Sequence, residues 1–511
     1  MINLSSPVKI ELVLEDETIN IKEKMKYKDI SLILSKTNKG IDIVLKGQQT
    51  PIKNIYLYYE IDIKKDDLIY GDTLERGYAN LSWCQKQDRL FFWYFFVNNT
   101  NNKKLYACGT KVHPRSIVLF NIDKGQLRID LNVCNGANGV ILDNRKLLVA
   151  QLIEDEVSYS NLLDACRSFC TQMMEGVNKL DLKEKVLGFN NWYYAYGKSS
   201  YKQIIDDTKL LKEVTKTLQI PPFMVIDDCW SINSCSGPWY PNEDFKDMAK
   251  LANEIKEIGA RPGIWIRPLS DSSQNLKKYH HPLNNQILDF TYPEVKQHVK
   301  EVIQRIVDWG YELIKYDYVT WDIFQLFTFQ MDENLCSQPH WNFQDRHFTN
   351  AEIILDLYKT IYKASNGVLL IGCNAIPHLV AGFVQINRIG DDTSGNKWDR
   401  TKRYGVNTLA FRLMQDKIFY EADADCVGIM GEEIPWKQNR EWLKLLSYSN
   451  TPLFVSCNPY LVTEEMKKDL SKAFLINEKE NHCEPISWLN ELFPTRWNIN
   501  GKEERFDWNK S

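Results

Sequence analysis

Short apolar runs separated by polar turns occupy the first part of the chain. Apolar and polar positions alternate within these runs, which is typical of half-buried β-strands, and Gly, Asn, Asp and Lys mark the turns between them. The runs are KIELVLED, ISLILS, IDIVLKG, NIYLYYEI, LFFWYFFVNN, SIVLFNI, LRIDLNV and GVILDN. Their spacing predicts an N-terminal β-sandwich domain over residues 1–178, which a helix from Asn161 to Glu175 closes.

A different pattern begins near residue 183, where strand-like segments alternate with amphipathic helices. The predicted helices include residues 201–218, 242–258 and 292–309. The predicted strands are residues 185–192, 222–228, 261–268, 312–319, 368–374, 384–392, 417–429 and 451–456. Alternation of this kind predicts parallel strands covered by helices, and eight units fit a (β/α)8 TIM barrel. We therefore expect an α/β barrel domain over residues 183–458.

Two connections of the barrel and the C-terminus depart from this alternation. The connection after the fifth strand is short, so its helix must be a stub. The connection after the fourth strand, residues 320–350, is long and aromatic, and an active-site loop and a plain insertion explain it equally well. A helix from Thr463 to Leu475, followed by an Asn500–Gly501 turn, predicts a small antiparallel C-terminal region over residues 459–511.

Composition and charge exclude several classes of partner. The 511 residues carry a net charge of −4 without a basic block, which argues against nucleic acid. Neither a signal peptide nor a run of about 18 apolar residues is present, so we expect no membrane partner and a cytoplasmic location with reduced cysteines. The eight histidines form no HExxH pattern, and no metal site is predicted. The 15 Trp and 25 Tyr suit a carbohydrate ligand, whose apolar faces stack on aromatic rings.

Polar residues follow six of the predicted strands. In barrels of this kind the catalytic groups lie at the C-terminal ends of the strands, so these side chains should meet at one mouth. The segment FMVIDDCW, for example, leads an apolar strand directly into two aspartates. The strand-end residues are Asn190, Asn191, Trp192, Asp227, Asp228, Trp265, Arg267, Lys315, Asp317, Cys373, Asn374, Arg388, Asp391 and Asp392.

Lys315 and Asp317 lie two positions apart on a strand, so both side chains face the mouth. A nearby ammonium group favours the ionised carboxylate, and an ionised Asp317 could act as a nucleophile or stabilise a cation. The alternative is a buried ion pair that fixes the register of the strand.

A second carboxyl group completes the requirement for glycoside hydrolysis, in which one carboxylate attacks and a protonated partner acts as acid. Asp391 and Asp392 both qualify, and capping of the following segment is the alternative. Asp227 and Asp228 would accept hydrogen bonds from sugar hydroxyls, or else cap their own loop. The remaining candidates, Trp192 and Trp265, would form apolar walls of the site or belong to the core.

The same motifs resemble the α-galactosidase (melibiase) clan, glycoside hydrolase families 36 and 27, over the segment from Val186 to Ser456. The segments that carry the resemblance are GFNNWYYAYG, VIDDCW, IKYDY, NRIGDD, EADADCVGI and NTPLFVS. VIDDCW followed by the Lys-x-Asp of IKYDY is the most specific part. A sandwich that precedes the barrel favours family 36, although family 36 sandwiches are generally larger.

The resemblance implies a retaining α-galactosidase without a metal or organic cofactor. Asp317 is then the nucleophile, and Asp392, four residues after Arg388, is the acid/base in preference to Asp391. The implied substrate-binding residues are Trp192, Asp227, Asp228, Trp265, Lys315, Cys373, Asn374 and Arg388. Asp227 and Asp228 would hold the 4-OH and 6-OH, and Arg388 and Asn374 would face the 2-OH. Relatives with this domain order often form oligomers, so a homo-oligomer is a further expectation.

One strand end departs from the family pattern, because Arg267 stands where family 36 members usually carry a glutamate. Arg267 would accept a charged or modified sugar, or pair with an acid such as Asp271. The segment CNAIPH matches neither the galactose nor the N-acetylgalactosamine pattern. An α-N-acetylgalactosaminidase, a β-L-arabinopyranosidase and a transglycosylase therefore stay open. Outside this class, the alternatives are a catalytically silent carbohydrate-binding barrel and an aldolase with a Lys315 Schiff base, against which the adjacent Asp317 argues.

Overall fold

The computed structural model describes residues 2–21, 26–73, 80–85, 90–327, 330–331, 335–431 and 433–509. Two antiparallel sheets come first, a parallel barrel follows, and a small antiparallel sheet lies at the C-terminus. The predicted fold class, a (β/α)8 barrel between a β-sandwich and a small antiparallel region, is therefore confirmed. Within the described ranges, no helix combines the length and the apolar character that a membrane span requires.

The N-terminal strands form a sandwich of a six-stranded sheet, in the order β2-β1-β6-β12-β11-β8, and a seven-stranded sheet, in the order β3-β4-β5-β13-β10-β9-β7. Alternate side chains of both sheets fill the space between them, as in Ile30, Leu32 and Leu34. The strands are β1 (Lys9–Leu14), β2 (Thr18–Ile21), β3 (Lys26–Tyr27), β4 (Ile30–Lys36), β5 (Gly40–Lys46), β6 (Ile52–Glu60), β7 (Asp67–Gly71), β8 (Phe91–Phe92), β9 (Tyr94–Asn99), β10 (Lys104–Thr110), β11 (Ile117–Asp123), β12 (Gln126–Asn132) and β13 (Lys146–Ser158).

One predicted strand of the sandwich is wrong. The run GVILDN forms only a single bridge, from Val140 to Ile52, because Asp143 and Asn144 turn the chain with positive φ angles. The strand lies just beyond it, in β13, where a register shift between Leu148 and Ala150 interrupts the alternation of buried and exposed residues. The helix predicted next is confirmed as α1 (Leu162–Met174), which Asn161 caps through its side chain.

The barrel sheet runs β22-β21-β20-β19-β16-β15-β14-β24-β23, and every pair in it is parallel. A small hairpin, β17 with β18, follows the third barrel strand. The strands are β14 (Leu187–Asn190), β15 (Phe223–Ile226), β16 (Arg261–Ile266), β17 (His280–His281), β18 (Asn284–Leu288), β19 (Leu313–Tyr316), β20 (Leu369–Gly372), β21 (Ile386–Arg388), β22 (Glu421–Asp423), β23 (Cys426–Ile429) and β24 (Leu453–Cys457).

The seventh barrel strand, predicted as one segment over residues 417–429, is divided into two. β22 pairs with β21 on one side, whereas β23 pairs with β24 on the other. The interruption falls at Ala424 and Asp425, and Asp425 has a left-handed backbone with φ 72°. The two halves of this strand therefore close the barrel around a kink at its mouth.

Helices surround the barrel, and the stub predicted after the fifth strand is confirmed by the four residues of α8. A π-helix, Thr401–Asn407, separates α9 from α10. The helix α12 packs against α11 and α3, so it completes the ring as the helix of the eighth unit. The helices are α2 (Trp192–Ala195), α3 (Tyr201–Val214), α4 (Met248–Ile258), α5 (Pro293–Asp308), α6 (Val319–Phe324), α7 (Asn350–Ala364), α8 (Pro377–Val380), α9 (Trp398–Arg400), α10 (Thr408–Arg412), α11 (Trp436–Tyr448) and α12 (Glu464–Asn477).

The long connection after the fourth barrel strand serves two purposes. Its first turn, α6, lies at the barrel mouth, whereas its later part contacts the sandwich. The carbonyl of Trp341 accepts hydrogen bonds from the amides of Ala137 and Asn138, at 2.9 and 3.1 Å. Gly136 permits this approach, because a Cβ at Gly136 would lie 2.7 Å from the Trp341 carbonyl oxygen. The first turn of the connection thus lies where an active-site loop would be, and its role in a site stays a prediction.

The C-terminal sheet consists of β25 (Cys483–Pro485), β26 (Arg496–Ile499) and β27 (Lys502–Arg505), paired in an antiparallel manner. Asn500 and Gly501 both have positive φ, at 52° and 81°, as the tight turn between β26 and β27 requires. The hairpin predicted from the Asn-Gly pair is therefore confirmed.

Candidate active site

The barrel interior changes from apolar to polar towards its C-terminal mouth. Its lower part is filled by Phe223, Val225, Leu313, Ile371, Ile386 and Phe454. Because side chains alternate along a strand, the next inward positions are Asp227, Lys315, Cys373 and Arg388. The inner side chains of these strands are thus apolar in the lower barrel and polar at the mouth, as the sequence predicted.

Asp227 lies at the centre of the first polar group. Its Oδ2 accepts hydrogen bonds from Asn190 Nδ2 at 2.6 Å and from Lys315 Nζ at 2.7 Å. Burial opposes the charge of Lys315, but the Asp227 carboxylate outweighs it and holds the pKa of Lys315 well above its ordinary value. The expected contact of Lys315 with Asp317 is replaced by this one, and Asp317 acts on the ammonium group only as a more distant charge.

Asp317 receives two other donors. Its Oδ1 accepts the backbone N–H of Tyr318 at 2.6 Å, and its Oδ2 accepts the indole N–H of Trp265 at 3.3 Å. Trp265 is held in turn, because its ring packs edge-on against Trp239 and Tyr318 at 6.0 and 6.4 Å. Hydrogen bonds to a charged acceptor are strong, so these two donors fix the orientation of the Asp317 carboxylate.

Asp228 lies beside both of these carboxylates. Burial, followed by the negative charges of Asp227 and Asp317, raises the pKa of Asp228 to about 7. Its Oδ1 accepts the backbone N–H of Cys229 at 2.5 Å, which opposes the shift without cancelling it. The site therefore carries a carboxyl group that changes its charge near neutral pH.

We expect Asp228→Asn to stabilise the fold at neutral and alkaline pH. A carboxyl whose pKa rises from 3.8 in the unfolded chain to about 7 in the fold binds more protons when folded. Its contribution to stability is therefore unfavourable above the unfolded pKa and reaches its full size above the folded pKa. The difference in free energy of unfolding between Asp228→Asn and wild type should be about 0.6 kcal/mol at pH 4 and grow to about 4 kcal/mol by pH 8.

Urea unfolding of both proteins at pH 4, 6 and 8 measures this difference. Asp207, whose pKa burial also raises to about 7, titrates in both proteins, so its contribution cancels. A difference that stays constant over this pH range would contradict the prediction.

Arg267, the residue that departs from the family pattern, is paired within the protein. Its Nη2 and Nε lie 2.6 and 3.0 Å from Asp322 Oδ1, and its guanidinium lies 4.3 Å from the centre of the Tyr318 ring. The suggested partner Asp271 is wrong, because Asp271 lies 3.0 Å from His298 instead. Burial opposes the charge of Arg267, but Asp322 holds its pKa above the ordinary value.

A second polar group lies across the mouth, at the ends of β21 and β22. Arg388 Nη2 lies 3.1 Å from Asp392 Oδ1 and also 3.1 Å from Asp425 Oδ2. The Arg388 side chain is 2% exposed, and the Asp425 and Asp392 carboxylates outweigh burial to keep its pKa well above the ordinary value. Arg388 therefore joins a buried carboxylate to one that reaches the mouth.

The two neighbouring aspartates 391 and 392 occupy different surroundings. The Asp391 side chain is 7% exposed, lies 3.2 Å from Arg400, and accepts a hydrogen bond from the amide of Asp392 in a local turn. The Asp392 side chain is 29% exposed. Of the two candidates for an acid, Asp392 is thus the more accessible from the mouth.

The last predicted residues, at the ends of the first and fifth barrel strands, differ in their contacts. Cys373 is buried, 3.8 Å from Arg388 Nη1. Asn374 is fully buried with φ 52°, and its side-chain amide has no hydrogen-bond partner within the described residues. Trp192 is half-buried, and its ring centre lies 5.3 Å from that of Tyr196. A buried amide without a partner is uncommon in a folded protein.

Sequence reasoning missed Asp322 and Asp425, which neutralise the two arginines of the site. The only signal for Asp322 was the need of a buried Arg267 for a counter-ion. Asp425 stood inside the segment assigned to the seventh strand. Elsewhere, no group of three or more His, Cys, Asp and Glu side chains in the described part of the chain could hold a metal ion.

No family model matches the chain. Solved α-galactosidases nevertheless share its fold. The α-galactosidase of Thermus thermophilus, solved with p-nitrophenyl α-D-galactopyranoside, superimposes with a TM-score of 0.64 at 13% identity, covering 97% of this chain and 98% of that one. The alignment thus spans nearly the whole of both proteins, the N-terminal sandwich included.

Longer α-galactosidases show the same architecture over part of their length. The glycoside hydrolase family 36 enzyme of Geobacillus stearothermophilus gives a TM-score of 0.57 at 13% identity, over 93% of this chain and 75% of that chain. The Lactobacillus brevis enzyme gives 0.58 at 12% identity, over 92% and 72%. The chain therefore has the fold of family 36 α-galactosidases, as the motifs predicted.

Proposed function

We propose that the protein is a retaining exo-glycoside hydrolase that removes terminal α-linked galactose from oligosaccharides or glycoconjugates. The observation that carries the proposal is the pair of carboxylates in unlike surroundings at one barrel mouth. Asp317 is held by two N–H donors, whereas Asp392 is partly exposed beside Arg388. The fold that the chain shares with α-galactosidases supports the same activity.

In the first step, an Asp317 carboxylate oxygen forms a bond to the anomeric carbon. The bond from that carbon to the leaving oxygen breaks, and the Asp392 carboxyl gives its proton to this oxygen. The negative charge of Asp317 favours the protonated form of Asp392 before the step. Because the charge disappears when Asp317 becomes an ester, Asp392 is then free to act as a base.

In the second step, water attacks the anomeric carbon and the ester bond to Asp317 breaks. The Asp392 carboxylate takes the proton of the water, and both carboxyl groups return to their starting states. Two inversions at the same carbon leave the released galactose in the α-configuration.

The residues around Asp227 would bind the sugar. Asp227 and Asp228 offer acceptors to the 4-OH and 6-OH, and Lys315 donates to the ring hydroxyls while it neutralises Asp227. Trp265 and Trp192 would pack against the apolar face of the ring. Arg388, Cys373 and Asn374 would face the 2-OH, and the Asn374 side-chain amide has no hydrogen-bond partner among the described residues.

The paired state of Arg267 supports a neutral sugar. A guanidinium already bound to Asp322 by two nitrogens has little charge left to attract an anionic substrate. Arg267 instead stabilises α6 against the third barrel strand, at the edge of the site next to Asp228. Among the alternatives, this favours galactose over a sugar that carries a carboxylate or a sulfate.

Hydrolysis of nitrophenyl glycosides tests the proposal. The panel contains the α-galactoside, the α-N-acetylgalactosaminide, the β-L-arabinopyranoside and the α-glucoside, with the anomeric form of the first product followed by NMR. We expect turnover of the α-galactoside with α-galactose released first. Preference for the N-acetyl or arabinosyl substrate would change the sugar but keep the mechanism. Binding of sugar without turnover of any substrate would favour a silent carbohydrate-binding barrel.

A further inference from the structure

Asp425 lies at the kink between β22 and β23, where the seventh barrel strand is interrupted. Its side chain is 4% exposed, and its backbone adopts the left-handed conformation that residues other than glycine rarely take. A buried carboxylate has to be neutralised and hydrogen-bonded. The partners that do this here connect Asp425 to the candidate acid/base.

Among the described residues, the polar partners of the Asp425 carboxylate all approach its Oδ2. Thr393 approaches with its backbone N–H at 2.8 Å and its hydroxyl at 3.0 Å. The Tyr193 hydroxyl donates to the same oxygen, and Arg388 Nη2 lies 3.1 Å away. Since Thr393 directly follows Asp392, Asp425 fixes the backbone that carries the Asp392 side chain.

Arg388 provides a second connection between the two aspartates. A single nitrogen, Nη2, lies 3.1 Å from a carboxylate oxygen of each. Asp425 therefore takes up part of the guanidinium charge. Without Asp425, the positive charge of Arg388 would act more strongly on Asp392 and favour its ionised form over the protonated form that an acid needs.

We propose that Asp425 is a positioning residue for Asp392. Asp425 holds the acid/base in place through Thr393, and it limits the effect of the Arg388 charge on the protonation of Asp392. The proposal rests on the proposed glycosidase function. It concerns the transfer of a proton to the leaving oxygen, and not the attack by Asp317. Loss of Asp425 should therefore slow only those substrates whose leaving group needs a proton.

The test compares two substrates whose leaving groups differ in their need for a proton from the acid. Methyl α-galactoside has a poor leaving group that depends on the acid, whereas α-galactosyl fluoride has a leaving group that depends on it little. For both, kcat/KM reports the steps up to the covalent intermediate. We expect Asp425→Asn to lower kcat/KM by about 30-fold for the methyl glycoside, within the range of acid catalysis, and by less than about 3-fold for the fluoride.

Asp416→Asn is the matched control. Asp416 is also a buried aspartate, and it accepts a hydrogen bond from the Ala422 amide of β22 at 2.8 Å. Its hydrogen-bond partners within the described ranges include neither Arg388 nor Thr393. We expect it to alter thermal stability and to leave the ratio between the two substrates at the wild-type value. A loss caused only by a weakened fold would follow this pattern.

If Asp425→Asn does not fold, Tyr193→Phe removes one donor to the same oxygen and is expected to lower the methyl glycoside rate alone by about 3-fold. Equal losses on both substrates, in whichever variant folds, would overturn the positioning role while leaving the proposed function intact. If wild type hydrolyses neither substrate, the proposed function fails and the role of Asp425 fails with it.

Discussion

Replacing Asp317 by glycine should lower the hydrolysis of p-nitrophenyl α-galactoside by at least about 10⁴-fold, which is the scale on which enzymes lose activity without their nucleophile. The reason is structural. Asp317 is the carboxylate that the Trp265 indole and the Tyr318 amide hold in a fixed orientation at the mouth. Lys315 cannot replace it, because its ammonium group is bound to Asp227.

Sodium azide should restore part of the activity of Asp317→Gly and identify the role of the residue. In the cavity left by the carboxylate, azide attacks the anomeric carbon from the side opposite to the leaving group, while Asp392 still supplies its proton. A single inversion then produces β-galactosyl azide, which NMR distinguishes from the α-anomer.

Asp289→Asn is the control for this experiment. Asp289 is a buried carboxylate that binds Thr291 and the Gln344 amide, and we expect it to keep activity near the wild-type rate. If Asp317→Gly retained more than a tenth of the wild-type rate, Asp317 could not be the nucleophile.

The positions of the site residues could be predicted from the sequence because they follow from the geometry of a strand. Side chains two residues apart on a strand point to the same face of the sheet. Because Val225 lies in the barrel interior, Asp227 is therefore expected on the same inner face, at the mouth. The ends of parallel strands also lie together in every barrel of this kind. These rules involve only neighbours in sequence, and they placed Asp227, Lys315 and Arg388 correctly in one polar layer.

The partners of these residues could not be predicted, because they depend on contacts between distant segments. Lys315 is two residues from Asp317 yet binds Asp227, 88 positions away. Arg267 finds Asp322 on the short helix α6, and no spacing rule distinguishes that aspartate from Asp271. Which acid neutralises which base is decided by the barrel as a whole.

The kink in the seventh strand could not be predicted either, because it also depends on contacts with distant segments. The segment EADADCVGI alternates like an ordinary strand, so its pattern gives no sign of an interruption. Asp425 leaves the strand conformation because its carboxylate meets Thr393, Tyr193 and Arg388, which belong to other elements. Here the local preference for a strand gives way to the contacts at the mouth.

Asp392→Gly should lower kcat/KM for methyl α-galactoside by about 10³- to 10⁴-fold, while α-galactosyl fluoride should still form the covalent intermediate readily. The residue lies 3.1 Å from Arg388 and is exposed enough at the mouth to reach a leaving oxygen. Without it, the poor leaving group receives no proton, and water receives no help in the second step. The intermediate on Asp317 should therefore accumulate when the fluoride is the substrate.

Azide distinguishes this variant from the nucleophile variant. It needs no base, so it should attack the accumulated ester of Asp392→Gly and raise the turnover of the fluoride. Because the sugar has then been inverted twice, the product should be α-galactosyl azide, opposite in configuration to the product of Asp317→Gly. Asp391→Asn is the comparison at the neighbouring position, where Asp391 lies 3.2 Å from Arg400. If Asp391→Asn gave α-galactosyl azide and Asp392→Gly kept its activity, the acid/base would be Asp391.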